Sequence, residues 1–333
     1  MNIEYVYGVD LNSGYVKASE ANINFLRSLG HIVKPFQGFQ YHKPDIRFLH
    51  VAAYAFDHTL LDRSVPTMYI YDWELPMLPY LFKSFAGQFD YCLTSSEYQA
   101  EIYKKETGRS NIDWIPHLPM YTPTAVKKTK NTPFTFLSVN RWDRRKDFET
   151  LARAFSEEFD YSEPVRLELK ITHSDIKTVL ETLGKYSRCS NIDYLFYNFS
   201  EPEMQELYRQ ADVFVTATRG EGWGYGYQEA LLNGVPCIYP KLPSVVDSFF
   251  DCSNSISVLS RYVPVDPMWE AHNYLDARQF MWGQTNVADL RAAMRTAYEY
   301  YPFTLPVSPA PSYYRDQDRI KGVFERLIAE FCK

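Results

Sequence analysis

Phe134-Thr-Phe-Leu-Ser-Val139, followed by Asn140-Arg141-Trp-Asp-Arg144-Arg145-Lys146-Asp147 and then by Phe148, Leu151, Ala152 and Phe155, is the stretch on which the fold turns. An apolar run of strand length gives way to a polar turn, and the turn to apolar residues at i, i+3, i+4 and i+7, the spacing of one helix face. Strand, turn and helix in that order begin a parallel sheet with helical crossovers. The rhythm continues downstream. Val165, Leu167, Leu169 and Ile171 alternate as a strand does, and Met204, Leu207, Tyr208 and Ala211 return to helical spacing. Val213-Phe-Val215 and Gly234-Val-Pro-Cys-Ile-Tyr239 predict two further short strands.

Upstream the same alternation appears. Ile3 to Val9 reads as a strand, Asp10 to Gly14 as a turn, and Phe25, Leu26 and Leu29 as one face of a helix that Gly30 lets the chain leave. His31 to Val33, Phe48 to Ala53, Thr67 to Tyr71 and Tyr91 to Thr94 are strand candidates. Ser96 is placed to cap a helix, with Gln99 three positions on to complete a capping box. Residues 119 to 133 hold three prolines and the lysines of Lys127-Lys-Thr-Lys130, and read as a linker with a boundary near residues 121 to 132. Residues 320, 323, 324, 327, 328 and 331 are apolar and share a helix face after a proline-rich stretch at 302 to 311.

Length and composition agree with two such units. At roughly 150 residues per domain, 333 residues predict about two domains, and a cleft between two α/β units is the default site. A formal charge of -6, from 35 basic and 41 acidic residues, gives no bulk attraction to nucleic acid or an anionic membrane. Five cysteines, at 92, 189, 237, 252 and 332, are odd in number and form no CxxC pair. They predict neither a disulfide framework nor a zinc site, and favour a reducing compartment. The N-terminal residues carry no signal-peptide pattern, and no apolar run is long enough to span a bilayer. Aromatic residues make up 17% of the chain, enough for large apolar surfaces with hydroxyls at their edges.

Two clusters carry chemistry. Thr218-Arg-Gly-Glu221-Gly222-Trp223-Gly224-Tyr-Gly-Tyr-Gln-Glu229-Ala joins a strand to a helix, with two carboxylates eight positions apart. Its glycines let backbone approach a ligand, and the helix start offers unpaired N–H groups to an anion. Arg141, Arg144, Arg145 and Lys146 lie just past a strand, where they can face phosphate oxygens.

These segments resemble the nucleotide-binding half of retaining glycosyltransferases of family four, the glycogen-synthase and sucrose-synthase-like superfamily with GT-B architecture. The resemblance runs through most of residues 134 to 240: Phe136 to Arg141 with Lys146, Glu203 to Asp212, Glu221 to Gly224 with Glu229-Ala, and Asn233 to Pro236. It implies two facing Rossmann-like domains with parallel sheets: an acceptor domain over 1–127, a donor domain over 128–309, and a terminal helix over 310–333 that packs back on the first. It implies that Arg141 and Lys146 hold the diphosphate of a UDP- or GDP-sugar, that Glu221, Gly222, Trp223 and Gly224 engage the sugar, that Glu229 accepts from ribose hydroxyls, and that Thr218 lies near the phosphates. It further implies retention of configuration, with no divalent metal or other cofactor required.

The N-terminal half resembles the acceptor domain through Gly14, residues 29 to 33 and residues 91 to 97, with Gly14 expected across the cleft from the diphosphate. Where the family often carries a His-Asp pair, this chain has Tyr71 and Asp72, which makes Asp72 a catalytic candidate and leaves His50 and His58 as alternatives. The acceptor, whether glycan, lipid-linked sugar, protein, nucleic acid or small molecule, is left open. A cytoplasmic protein, soluble or in peripheral contact with a membrane, is expected. The competing readings are a retaining phosphorylase, a nucleotide-sugar hydrolase, and a glycan- or nucleotide-binding relative without turnover.

Overall fold

The computed structural model describes residues 1–8, 14–36, 43–52, 57, 61–119, 130–172, 174–188, 190–249, 255–272, 279–301 and 311–332. The Asp10 to Ser13 turn, His58, the core of the 119–133 linker, Cys189, Cys252 and the 302–310 stretch lie outside these residues. The chain divides into two compact units, one of Met1–Tyr121, Glu270–Phe280 and Ser312–Lys333, the other of Thr122–Trp269 and Met281–Pro311.

In chain order the first unit runs β1 (Asn2–Tyr7), α1 (Gly14–Ser28), β2 (Ile32–Pro35), β3 (Ile46–His50), β4 (Thr67–Ile70), α2 (Tyr80–Ala86), β5 (Tyr91–Thr94), α3 (Glu97–Thr107) and β6 (Ile112–Trp114). The strands form one parallel sheet in the order β2-β1-β3-β4-β5-β6. Ser96 caps α3 by accepting from the Gln99 N–H at 3.3 Å. The Gln99 side chain reaches sideways, accepting from the Trp73 N–H and donating to Ser95 Oγ, and so ties the β4 and β5 exits together.

The second unit runs β7 (Phe134–Arg141), α4 (Phe148–Glu158), β8 (Val165–Thr172), α5 (Ile176–Ser187), β9 (Ile192–Leu195), α6 (Glu201–Gln210), β10 (Val213–Val215), α7 (Tyr225–Leu232), β11 (Cys237–Pro240), α8 (Pro243–Phe249) and β12 (Ile256–Val258). Then come β13 (Ser260–Pro264), α9 (Pro267–His272), β14 (Met281–Thr285), α10 (Val287–Glu299) and, last, α11 (Pro311–Phe331), which belongs almost wholly to the first unit. A parallel sheet takes the order β12-β11-β10-β7-β8-β9, and β13 and β14 pair as an antiparallel hairpin outside it.

Apolar spacing becomes core as the sequence predicts for α4, whose Phe148, Leu151, Ala152 and Phe155 are buried beside Phe134, Phe136 and the apolar side of β8. Strand β8 departs from simple alternation. Its Glu168 and Lys170 are buried as well, because helices cover both faces of a parallel sheet. In the first unit, Ile320, Val323, Phe324 and Leu327 of α11 complete a core with Ile3, Tyr5, Phe48 and Met68, and Phe324 packs edge-on to Phe48 at 5.1 Å.

Candidate functional site

In the second unit, β7 leads through α4 towards β8 and β9, whereas β10 leads through α7 the opposite way towards β11 and β12, so neighbours β7 and β10 flank the point where strand order reverses. Open parallel sheets bind ligands at the carboxyl ends of the strands at such a point. Arg141 ends β7, Arg144 to Lys146 follow it and Thr218 to Gly224 follow β10, and both clusters therefore meet there.

Backbone hydrogen bonds lace three segments into one floor. The Arg219 N–H donates to the Arg145 carbonyl at 2.7 Å, and the Gly283 N–H of β14 donates to the Arg219 carbonyl at 2.7 Å. A Cβ at residue 283 would lie 2.6 Å from Leu242 Cδ2, so glycine lets the hairpin approach this closely. Asp147 takes the left-handed conformation with φ 49°, its carboxylate accepting from the Thr150 N–H to cap α4 and from Arg219 Nε at 2.8 Å. These bonds hold a backbone conformation that is uncommon outside glycine.

Above that floor, Lys146 Nζ donates to both oxygens of Glu221 at 2.7 Å. Arg145 lies 3.4 Å from the same carboxylate and donates to the Gly220 carbonyl. Thr218 Oγ1 donates to the Gly220 carbonyl at 3.0 Å. Burial alone would push the Glu221 carboxyl up, but Lys146 and Arg145 outweigh it and hold it below the usual range. Arg141 is different: it is mostly exposed, in a 3.2 Å pair with Asp143. Exposed pairs of this kind are weak and exchange readily for a stronger anion.

Gly224, with φ 94°, starts α7 in a conformation that a side chain resists. Gly226 has a packing reason: a Cβ there would lie 2.6 Å from the Phe214 ring and 3.3 Å from the Val139 carbonyl. The close approach sets the first turn of α7 against the carboxyl ends of β7 and β10, but its Tyr227 and Gln228 N–H groups bond the Gly224 carbonyl at 3.0 and 3.4 Å and are not the open anion donors the sequence suggests. Gly222 and Trp223 lie in the turn before Gly224, Trp223 is buried, and Glu229 is buried within α7.

The first unit has its own cluster at the carboxyl ends of its strands. Asp72, just past β4, accepts from His117 Nε2 at 2.5 Å and from the Ser95 N–H at 3.0 Å. Burial works against that carboxylate, but His117 prevails and keeps it below the usual range. Tyr15, beside Gly14 at the exposed start of α1, donates to the Asp72 carbonyl at 3.2 Å. Tyr71 stacks between Tyr15 and Tyr69, with both ring separations 5.8 Å.

His50 ends β3 and stacks 5.9 Å from His117. The His50 Nδ1 lies 3.0 Å from Ser19 Oγ and 3.2 Å from the Tyr5 hydroxyl, while its buried Nε2 has no hydrogen-bond partner among the described residues. Burial, with His117 adding to it, pushes the His50 pKa down to about 3. The site thus joins Asp72 and His50 with His117, which the sequence reading passed over. The signal was available: His117 sits three residues past β6, a strand exit like those of His50 and Asp72. Among the described residues there is no group of three or more His, Cys, Asp or Glu side chains suited to a metal ion, and no helix is long and apolar enough to cross a membrane.

Residues 123–251, under half of the chain, match the family model described as glycosyl transferases group 1. No curated protein matches the chain. Among solved structures it is similar to Anabaena Alr3699/HepE in complex with UDP and glucose, with a TM-score of 0.67 at 12% identity over 99% of this chain and 100% of that one. It is also similar to the lipopolysaccharide outer core galactosyltransferase WaaB, with a TM-score of 0.62 at 14% identity over 98% and 100%. A third likeness is to the GtfA/B complex, with a TM-score of 0.58 at 13% identity over 80% of this chain. The chain spans about half the length of that last protein, 53%. At such identities these likenesses establish the fold, an α/β arrangement of two parallel sheets matching GT-B glycosyltransferase structures.

Proposed function

We propose that the protein is a retaining, metal-independent glycosyltransferase that moves a sugar from a nucleoside diphosphate, UDP or GDP, to a hydroxyl acceptor. The observation that carries this reading is the Lys146–Glu221 pair beside the start of α7, at the strand-order reversal and inside the segment matching group 1 glycosyl transferases. A buried ammonium at Lys146 and an exposed guanidinium at Arg141 suit a diphosphate. Its charge grows as the sugar departs, and fixed donors that meet the growing charge lower the barrier. Arg141 and Lys146 hold the diphosphate, Thr218 lines it, Glu229 accepts from ribose hydroxyls, and Glu221 with residues 222 to 224 meets the sugar. Glu221 serves two ends here, since its carboxylate also fixes the Lys146 ammonium.

Gly14 and Asp72 belong to the acceptor side in this reading. Asp72, ionised and held by His117, orients a hydroxyl; the departing diphosphate itself takes the hydroxyl proton on the face it leaves. The UDP complex of the Anabaena protein favours UDP as the first donor base to test. Calorimetric titration with UDP and GDP tests the cradle. One of them is expected to bind the wild type, and at least tenfold more weakly to Arg141→Ala, as the loss of a charge-assisted pair predicts. Equal affinity for the two proteins, or no binding of either nucleotide to the wild type, would reject it.

A further inference from the structure

Helix α5 buries one apolar row and exposes another. Val179 and Leu183 are fully buried in the core of the second unit, whereas Ile176 and Leu180 are 49% and 46% exposed. Ile176, Leu180 and Gly184 follow one another at i, i+4 and i+8, and so form one ridge on the open side of the helix. Lys177, Glu181 and Lys185 form the next ridge, and a shallow groove runs between the two as far as Arg188.

Gly184 is the residue that nothing within the chain explains. It sits inside α5, where glycine weakens a helix, and its backbone is not left-handed. A Cβ there would meet no atom within 4 Å, so packing within the chain does not require its absence. A notch in line with two exposed apolar side chains is what a second helix needs to cross at close range, with its ridge in this groove.

We propose that this face of α5 is a contact between two copies of the chain, packed antiparallel about a two-fold axis at Leu180. The ridge is self-complementary in that orientation: Ile176 of each copy lies over Gly184 of the other, and the two Leu180 side chains meet on the two-fold. A symmetric contact of one patch with itself requires such a pattern. Charge selects the orientation. At a rise of about 1.5 Å per residue, Lys177 of one copy comes within about 3 Å, measured along the helix, of Glu181 of the other. Each Glu181, 3.8 Å from its own Lys177, then has an ammonium group of the second copy beside it as well. A parallel pair would instead oppose Lys177 to Lys177 and Glu181 to Glu181. Lys185 and Arg188 lie farther out, each about 15 Å or more along the helix from its own copy. One helix face is smaller than the roughly 800 Å² per partner of a stable complex, so the dimer is weak and forms at high concentration. It stands apart from the transferase reading and does not depend on it.

Sedimentation equilibrium of the full chain tests this contact. The wild type is expected to dimerise with a dissociation constant between about 10 µM and about 1 mM, the range of a small interface. Leu180→Asp, on the two-fold, and Gly184→Leu, which fills the notch, are each expected to leave the chain monomeric throughout that range. Lys177→Glu and Glu181→Lys are each expected to weaken the dimer about threefold or more, and the two changes together to restore it. All four positions lie on the open side of α5, so far-UV circular dichroism is expected to show unchanged helix content in every variant. The proposal is overturned if the wild type stays monomeric to about 1 mM. It is overturned equally if the dimer survives Leu180→Asp or Gly184→Leu, or if the paired charge change is no better than the single ones. Binding of the monomer to phosphatidylserine vesicles that Leu180→Asp abolishes would give this face to a membrane and overturn it too.

Discussion

In the proposed donor site Lys146 is the buried cation whose two hydrogen bonds to Glu221 fix its position. Replacing Lys146 with Ala is expected to lower turnover of the donor by about 10²-fold or more, the scale for removing one preorganised charge-stabilising donor. Steady-state release of nucleoside diphosphate measures it, and unchanged turnover would reject the role. In the first unit, His50 titrates far below an ordinary histidine because burial disfavours its cation. The unfolded chain takes up that proton from pH 6.5 downward and the folded chain only near pH 3. Stability is thus expected to fall across that window, by up to about 1.4 kcal/mol per pH unit, and His50→Gln should flatten the slope. Urea unfolding midpoints from pH 7 to pH 4 check this; a wild-type slope no steeper than the variant's would contradict it.

At the scale of elements, β10 and α7 are joined by a fit the sequence does not display. Glycine at 226 reads from sequence as backbone freedom near a ligand, whereas its structural requirement is the 2.6 Å that a Cβ would leave to Phe214. Phe214 is itself buried in ring contact with Tyr208 and Tyr227, and the Val139 carbonyl would lie 3.3 Å from the same Cβ. Gly226→Ala is therefore expected to cost about 1–3 kcal/mol by overpacking, and to weaken nucleotide binding by displacing the first turn of α7. Thermal melts and UDP titration measure the two effects, and a variant as stable as the wild type would remove the argument. Legibility follows the same division. Strands, helices and the α3 cap were readable because they depend on period and local chemistry, as at Phe148 to Phe155 and Ser96. The Asp72–His117 contact was not, because a 45-residue separation in sequence is closed by sheet order alone.

At the scale of the whole molecule, the first unit is finished by the last helix. Leu327 and Phe324 are fully buried among side chains of β1, β3 and β4, so the unit's core is assembled from both ends of the chain. Leu327→Ala is expected to destabilise this unit by about 2–5 kcal/mol, the cost of an unfilled core cavity, while leaving UDP binding to the second unit intact. Chemical unfolding monitored alongside UDP titration separates these outcomes, and a loss of both together would show that the units do not stand independently. The second unit carries the matching segment, a strand-order reversal and a charged pair; the first unit carries a His-Asp cluster. The central claim is retaining sugar transfer without a metal. Its most direct test incubates the wild-type chain with UDP- and GDP-sugars and a library of hydroxyl acceptors in the presence of EDTA, then reads the anomeric 1H coupling of the product. The account predicts a product with the donor's own anomeric configuration, formed equally well with chelator present; an inverted product, or transfer that appears only when a divalent metal is restored, would contradict it.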